Sequence, residues 1–415
     1  MSFKFALVGD MQQRKQAPIN RTDDFYETLK AKIAEIVDKG YSEQVDAFLL
    51  AGDFFDTPMP SMNVVSETTK LWLNGIDISE VLSEPYRNLS RMAELQKNYE
   101  IIVNKVVDIY QDASDIISPE EKQKKLYKDI GLLVEDIKTK ESHLLQDAMN
   151  LRSVLGSKIN KVIPIITVAG NHDLYGNSLN TLNRTMLGFL INLGIIRLAS
   201  IDNPFIVSKN GLTCAITGTS YHSDIDADGF ESDYIINKKL GDRHVHIVHG
   251  MLHHKSMGSI IKHTTIDKIA TTLADFTYSG HEHNGFPLTE RDGRYYYNSG
   301  AIPRLTIEEV DRKPKIGILS MDKDNLKLNE YYLKTAKPGT EILDLSSKLN
   351  AKQKEEEFAE FKQAISDAGK IEGYNVFEIV NSLAANNKIK PSVKNKALEM
   401  VSMAMEKLDE RKIDN

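Results

Sequence analysis

Ala169-Gly170-Asn171-His172-Asp173 closes an apolar run from Val162 to Val168, and its reading decides the fold. A short apolar run, rich in β-branched residues and ending in a glycine turn, is a strand buried on both faces, as in a parallel sheet. Gly-Asn-His-Asp then sits at the carboxyl edge, where open α/β sheets place their chemistry. Gly, Asn and Asp also suit an ordinary turn, so the stretch gains its meaning from recurrence. The same arrangement, an apolar strand ending in metal-capable side chains, returns at Asp10, Asp53, His249 and the His281/His283 pair.

Upstream, Lys4 to Val8 is a short strand closing on Gly9-Asp10-Met11-Gln12. Phe25, Leu29, Ile33, Ile36 and Val37 carry helical spacing over Arg21 to Lys39, with Gly40 as the stop. Val45 to Ala51 is the next strand and ends in Gly52-Asp53-Phe54-Phe55-Asp56-Thr57-Pro58. Strand, helix and strand, with a carboxylate after each strand, make a βαβ unit facing one rim. Ser61 to Leu73 reads as the following helix, with Ser61 as its N-cap.

Between residues 75 and 156 the pattern changes to a polar segment with apolar residues at helical intervals. Leu89 to Ile116 forms one arm and Leu126 to Leu155 the other, and Ser118-Pro119-Glu120-Glu121 starts the second with an N-cap, an N1 proline and a capping-box glutamate. The reading is an antiparallel helical hairpin inserted between two strands, a structural or partner-binding arm. Lys122, Lys124, Lys125 and Lys128 near its tip read as a solvated face.

Downstream, Ser178 to Leu193 looks helical, and a β-rich half follows: 204–208, 212–217, 244–249, 276–279, 294–298, 315–321 and 328–333. Asp292-Gly293 marks a hairpin turn. So many strands imply an α/β (α+β) fold of two packed sheets flanked by helices. Pro338-Gly339 reads as a boundary before charged helices at 351–368, 376–383 and 391–411, a small helical module or a docking tail. The expected layout is therefore a core at 1–74 and 157–335, the hairpin at 75–156 and a helical region at 336–415.

Composition narrows the function classes. The 415 residues are 41% hydrophobic and 27% charged, enough for a sizeable core. A net charge of −7 offers no global basic field for passive nucleic-acid binding. Cys214 is the single cysteine, which excludes an intramolecular disulfide and a cysteine-rich zinc site, and it reads as a small buried hydrophobe. The chain opens directly in a strand without a signal peptide, and no apolar run approaches the ~18 residues of a membrane span. The expectation is a cytoplasmic protein with no membrane attachment.

Asp10, Gln12, Asp53, Asp56, Asn171, His172, His249, His281 and His283 all fall at strand ends. Carboxylate, amide oxygen and imidazole together suit two adjacent Mn²⁺, Fe²⁺ or Zn²⁺ ions better than an all-oxygen Mg²⁺ or Ca²⁺ cage. One aspartate bridges such ions ~3.5–4 Å apart, and the pair activates water for in-line attack on phosphorus. His244 and His246, alternating on the strand before His249, read as structural.

Asp10-x-Gln12, Gly52-Asp53-x-x-Asp56, Gly170-Asn171-His172-Asp173, His249 and Gly280-His281-x-His283 resemble the ordered motif set of calcineurin-like metallophosphoesterases, across roughly residues 1–335. Within that superfamily, Gly52 to Pro58 and Tyr297-Asn298-Ser299-Gly300-Ala301 resemble the SbcD-type nuclease subunit of double-strand-break repair complexes. The resemblance implies a metallophosphoesterase sandwich in which Asp10, Asp53 and His283 hold one metal, and Asp53, Asn171, His249 and His281 the other. His172 contacts the phosphate and protonates the leaving oxygen, and Asp173 orients its loop or His172. Asp56 lies close to metals or substrate, and Arg304, just after the Gly300 turn, reaches a phosphate or pairs at the surface. Gln12 stands where that family has His; a weaker amide ligand implies looser binding of the first metal and dependence on added Mn²⁺. The partners implied are DNA, an SMC-like ATPase and a second copy of the chain, with the C-terminal helices as the docking element.

Two other readings stay open. The same motifs serve cyclic-nucleotide phosphodiesterases, nucleotidases and protein phosphatases. A catalytically weakened scaffold that binds DNA or a partner without cutting is the third.

Overall fold

The computed structural model describes residues 2–80, 82, 83, 85–90, 135, 138–140, 142, 143, 146, 149, 151, 152, 155, 156, 159–258, 261–346 and 394. The chain forms two compact units, Met1–Leu343 and Asp344–Asn415. Apart from residue 394, the expected C-terminal helices lie outside the described residues, and so do the tip and most of both arms of the expected hairpin. Where the hairpin would meet the first unit, residues 85–90 are helical, and Leu82, Leu89 and Leu155 are buried in its core. No described helix is long and apolar enough to cross a membrane.

Two six-stranded mixed sheets, flanked by helices, make the first unit, as the strand count implied. The first contains β1 (Phe3–Val8), β2 (Ala47–Leu50), β3 (Ile165–Thr167), β4 (Ile196–Leu198), β13 (Lys315–Met321) and β14 (Leu326–Tyr332), in the order β14-β13-β1-β2-β3-β4. The second contains β5 (Phe205–Lys209), β6 (Leu212–Thr219), β7 (Arg243–Val248), β10 (Phe276–Ser279), β11 (Phe286–Arg291) and β12 (Arg294–Asn298), in the order β11-β12-β10-β7-β6-β5. A small parallel ribbon, β8 (Leu252–His253) with β9 (Thr264–Thr265), stands apart. β1 to β4 run parallel, as do β6, β7, β10 and β12, so each sheet gathers several carboxyl ends at one edge.

Alternation places the core. Phe3, Phe5 and Leu7 of β1 join Leu49, Ile166, Ile216, Val245, Ile247 and Tyr278 in one buried cluster built from both sheets. Ala6, Val8, Phe48 and Leu50 join the opposite cluster with the helices. A one-residue slip would exchange Phe5 and Leu7 with Ala6 and Val8 between two clusters packed around side chains of different size, which fixes the register. Cys214 is buried in the same cluster, as expected.

Helix α1 spans Phe25–Glu43, and Asp24 caps it by accepting from the Glu27 amide at 3.1 Å. It starts later than expected because Arg21 is used elsewhere, pairing with Asp23 and bridging to Leu343. Gly40 does not stop it: a Cβ there would meet the Phe48 ring at 2.3 Å, so glycine lets helix and sheet close up. The stop is Gln44, left-handed at φ 55°. Helix α2 spans Met62–Trp72 with Ser61 at its N-cap, although the Ser61 side chain makes no cap bond. The helix expected over 178–193 divides into a 3₁₀ run at Leu179–Arg184 and α3 (Met186–Asn192), because Thr185 accepts from the Gly188 amide and starts a new helix. The first unit runs on past Pro338-Gly339 to Leu343: Gly339 packs on the Val310 carbonyl, and Ile342 is fully buried.

Candidate metal centre

The parallel strands end in loops that fold back on themselves. Gln12, Asp53 and His281 adopt left-handed φ of 40°, 47° and 73°. Such conformations cost of order 1–3 kcal/mol for residues with a Cβ and cluster at functional sites. The main chain holds the loops in place. The Met11 and Gln12 amides donate to the Asp53 carbonyl at 3.0 and 2.8 Å, and the Ile302 amide donates to the Asp10 carbonyl at 2.9 Å. Two glycines give the room: a Cβ on Gly170 would lie 2.1 Å from Asp53 Oδ1, and one on Gly280 would lie 2.5 Å from Asp10 Oδ1.

Asp10, Asp53 and His249, all buried, bring one ligand atom each within 4.8 Å of one another. His249 Nδ1 stands 2.6 Å from the Ala51 carbonyl, which can only accept, so the proton is on Nδ1 and the Nε2 lone pair faces the site. That Nε2 is 3.1 Å from Asn171 Oδ1 and 3.5 Å from Asp53 Oδ1. On the other side, His283 Nε2 lies 3.6 Å from Asp10 Oδ2 and 3.2 Å from Gln12 Nε2. The His281 amide donates to the Asp10 carboxylate at 3.1 Å, and its ring lies 5.1 Å from that of His249. The structure thus brings together Asp10, Gln12, Asp53, Asn171, His249, His281 and His283.

The electrostatics call for a cation. Burial raises Asp10 to about 6, with Asp53 adding to it and His249 and His283 opposing. Burial opposes a proton on His249, but Asp53, Asp10 and the Ala51 carbonyl outweigh it and raise its pKa. His281 is pushed down to about 3 by burial and then by His249, leaving a neutral imidazole. Gln12 is 1% exposed, and among the described residues its Oε1 has no hydrogen-bond partner. Two buried carboxylates, three imidazoles and an orphaned amide oxygen fit divalent ions that accept mixed oxygen and nitrogen donors.

His172 sits at this rim. Its amide donates to Asp53 Oδ1 at 3.0 Å, and its Nδ1 stands 3.0 Å from the Asp56 carbonyl, so Nδ1 carries the proton there too. Of three expectations, those for Asp173 and Asp56 are narrowed, to the loop and to a main-chain contact, and that for Arg304 is overturned. Asp173 does not reach His172 by a hydrogen bond; it is fully buried and accepts from the Phe54, Phe55 and Gly170 amides at 3.0–3.1 Å, tying the third strand-end loop to the second. Asp56 meets His172 through its carbonyl, while its carboxylate takes both bonds from Arg14 Nη1 at 3.0 and 3.1 Å. Arg304 is neither a phosphate contact nor a surface pair: it is 2% exposed and donates to the carbonyls of Val310, Arg312 and Lys337.

Sequence reasoning missed Tyr221 and Glu309. The Tyr221 ring lies 6.1 Å from His249 and 5.6 Å from His281, and no local motif announces it. Glu309 Oε1 lies 3.6 Å from His283 Nδ1, and its signal was legible: Thr306-x-x-Glu309 is a capping box. His244 and His246 are structural, as read. Both bond to Thr217 Oγ1, at 2.9 and 2.8 Å, and burial pushes each to about 4.

No family model matches the sequence, and no curated protein matches it. Solved structures with a similar course include a candidate 5′-nucleotidase from Staphylococcus aureus in complex with alpha-ketoglutarate, at 12% identity and a TM-score of 0.37 over 79% of this chain. This chain spans 53% of that protein's length. A dimetal phosphatase from Danio rerio is similar at 10% identity and a TM-score of 0.36, over 80% of this chain and 96% of its own. The calcineurin-like phosphoesterase YfkN from Bacillus subtilis is similar at 12% identity and a TM-score of 0.36, over 80% and 90%. Likeness at that level transfers no residue, metal or substrate to this chain.

Proposed function

We propose that this protein is a two-metal-dependent phosphodiesterase whose substrate is DNA. The observation that carries the chemistry is the buried convergence of Asp10, Asp53 and His249 within 4.8 Å, with Gln12, Asn171, His281 and His283 closing around them. One ion would be held by Asp10, Gln12, Asp53 and His283, and the other by Asp53, Asn171, His249 and His281. When bound, such ions supply positive charge at phosphoryl oxygens and lower the pKa of an attached water. Mn²⁺ suits this donor set, in which a glutamine stands beside carboxylates and imidazoles.

The protein's own groups do the rest. Asp173 and the amides of residues 11, 12 and 172 hold the carboxylates in their converged geometry. His172, its Nδ1–H directed at the Asp56 carbonyl, leaves Nε2 unengaged at the rim, where the doubly protonated ring would give its Nε2 proton to a leaving oxygen and return to the Nδ1–H form.

DNA as substrate rests on the resemblance carried by residues 52–58 and 297–301. In the structure the second of these stretches supports the histidine loop: Asn298 Nδ2 donates to the Glu282 carbonyl at 2.9 Å, and its Oδ1 accepts from the Gly300 amide at 2.7 Å. An SMC-like ATPase partner, a homodimer and a cytoplasmic location belong to the same reading.

The test is Mn²⁺-dependent degradation of end-labelled single- and double-stranded DNA, run beside a small phosphodiester, with His172→Ala as control. Degradation reduced ~10²–10⁴-fold in the variant supports the reading. Cleavage of the small ester alone moves the substrate to nucleotides, and cleavage of neither removes the enzyme reading.

A further inference from the structure

Three buried cations and a fourth, Arg312, whose side chain is 8% exposed, crowd the loop that follows β12. Arg304 and Arg312 lie on it, and Arg21 and Lys32 pack against it. Their donors go to the main chain: Arg21 to the Arg304 carbonyl, Lys32 to Ile302, Arg312 to Ala301 and Pro303, and Arg304 to Val310, Arg312 and Lys337. So many bonds to one loop fix the position of its acidic residue, Glu309. Glu309 is 4% exposed; its Oε2 accepts from the Leu305 and Thr306 amides at 2.5 and 3.0 Å, and its Oε1 lies 3.1 Å from Arg312 Nη2. The same Oε1 faces His283 Nδ1 at 3.6 Å.

The far side of the His283 ring gives an independent reading of its tautomer. Gln12 Nε2 donates to Asp53 Oδ2 at 3.2 Å, and a carboxylate only accepts, so that end of the amide is the NH₂. It also lies 3.2 Å from His283 Nε2, which must therefore be the ring's acceptor. The ring proton is then on Nδ1, facing Glu309.

We propose that Glu309 is the positioning residue for the ion held by Asp10, Asp53 and His283, acting through His283 and not on the substrate. The inference rests on the two-metal reading and deepens it. Glu309 keeps the Nε2 lone pair turned inward and makes the imidazole a stronger donor, as carboxylates behind metal-ligating histidines do. Arg312 pairs with the same carboxylate and keeps it an anion.

Calorimetric titration of Mn²⁺ into the metal-free full-length chain tests this, comparing wild type with Glu309→Gln. Glutamine keeps an oxygen for the Leu305 and Thr306 amides but turns an NH₂ toward His283 Nδ1, opposing the native tautomer. One of two binding steps should weaken ~10–100-fold with the other step unchanged, while the lost pair with Arg312 lowers the metal-free urea midpoint without abolishing a cooperative transition. Two unchanged steps overturn the inference, and so do two steps lost together with the cooperative transition, which would make Glu309 merely structural. Wild-type protein that binds no Mn²⁺ removes the two-metal reading and this inference with it. Imidazole ¹⁵N spectra of the metal-free wild type need no variant: His283 protonated on Nδ1 supports the assignment, and protonation on Nε2 alone overturns it.

Discussion

The structure buries charge of both signs in two adjoining places, and it treats them differently. At the strand ends, Asp10 and Asp53 lie buried with the acceptor Gln12 Oε1 unfilled. Behind them, Arg21, Lys32 and Arg304 are buried and the Arg312 side chain is 8% exposed, but all save the Nε atoms of Arg304 and Arg312 find acceptors. Burial strains both sets: it raises Asp10 to about 6 and, with Asp53 adding to it, Asp173 to about 7, while it lowers Lys32 to about 7 with help from the neighbouring arginines. The cationic cluster is nearly closed by the protein's own carbonyls. The anionic one is left incomplete and is braced by three residues in left-handed conformations. The clamp directs its charges to main-chain carbonyls, whereas the candidate site turns carboxylates, imidazoles and an amide toward one another.

The sharpest way to break that contrast is to remove the shared carboxylate. Asp53→Asn keeps the shape and takes away the one charge that both metal positions use. Removing a group that only supports a ligand costs ~10–100-fold in metal affinity, so losing the shared ligand should cost more than ~10² at each step. Phosphodiester cleavage should fall below detection. Metal titration and a cleavage assay check both, and two intact binding steps would refute the assignment of Asp53.

The anionic half was readable in the sequence because each of its members directly follows a strand. Asp10, Asp53, Asn171, His249 and His281 needed only the apolar runs before them, and Gln12 needed only its spacing from Asp10. The cationic half was not readable, since its partners are carbonyls contributed by distant parts of the fold. Arg304, read as a phosphate contact or a surface ion pair, bonds to Lys337 and Arg312 across a loop whose closure nothing local announces. Glu309 lies between these cases: the capping box was visible, but the His283 ring behind it belongs to another strand end. Gly40 and Thr185 show the same limit. Their roles, under the Phe48 ring and at the start of α3, depend on packing that periodicity does not encode.

A smaller effect sharpens the anionic side. Asp10 must be ionised to hold a cation, and burial keeps it protonated up to about pH 6. Lowering the pH below that point makes the metal displace a proton, so Mn²⁺ affinity should fall at least about tenfold per unit there. His249, whose pKa is also raised, works in the same direction, because a protonated imidazole cannot ligate. Metal titrations across pH 5 to 8 measure the slope. A flat profile would show that Asp10 is ionised throughout, or that it is not a ligand.

The smallest effect separates the clamp from the site. Lys32 Nζ donates to the Ile302 carbonyl at 3.3 Å from a position 1% exposed, and burial pulls its pKa down to about 7, against 10.5 for the free side chain. Between those values the unfolded chain carries the proton more often than the folded one, so stability should rise with pH through the window. Below about pH 7 both states are charged, and the full cost of burying the ammonium is felt. Lys32→Met relieves that cost but leaves the Ile302 carbonyl without its donor, worth about 1–3 kcal/mol in the opposite direction. Replacing a buried charge with a hydrophobic residue of similar size is still often a net gain, here about 1–2 kcal/mol at pH 7. The gain should vanish near pH 10, where the native lysine is neutral in the fold. Urea midpoints at pH 7 and 10 read the difference.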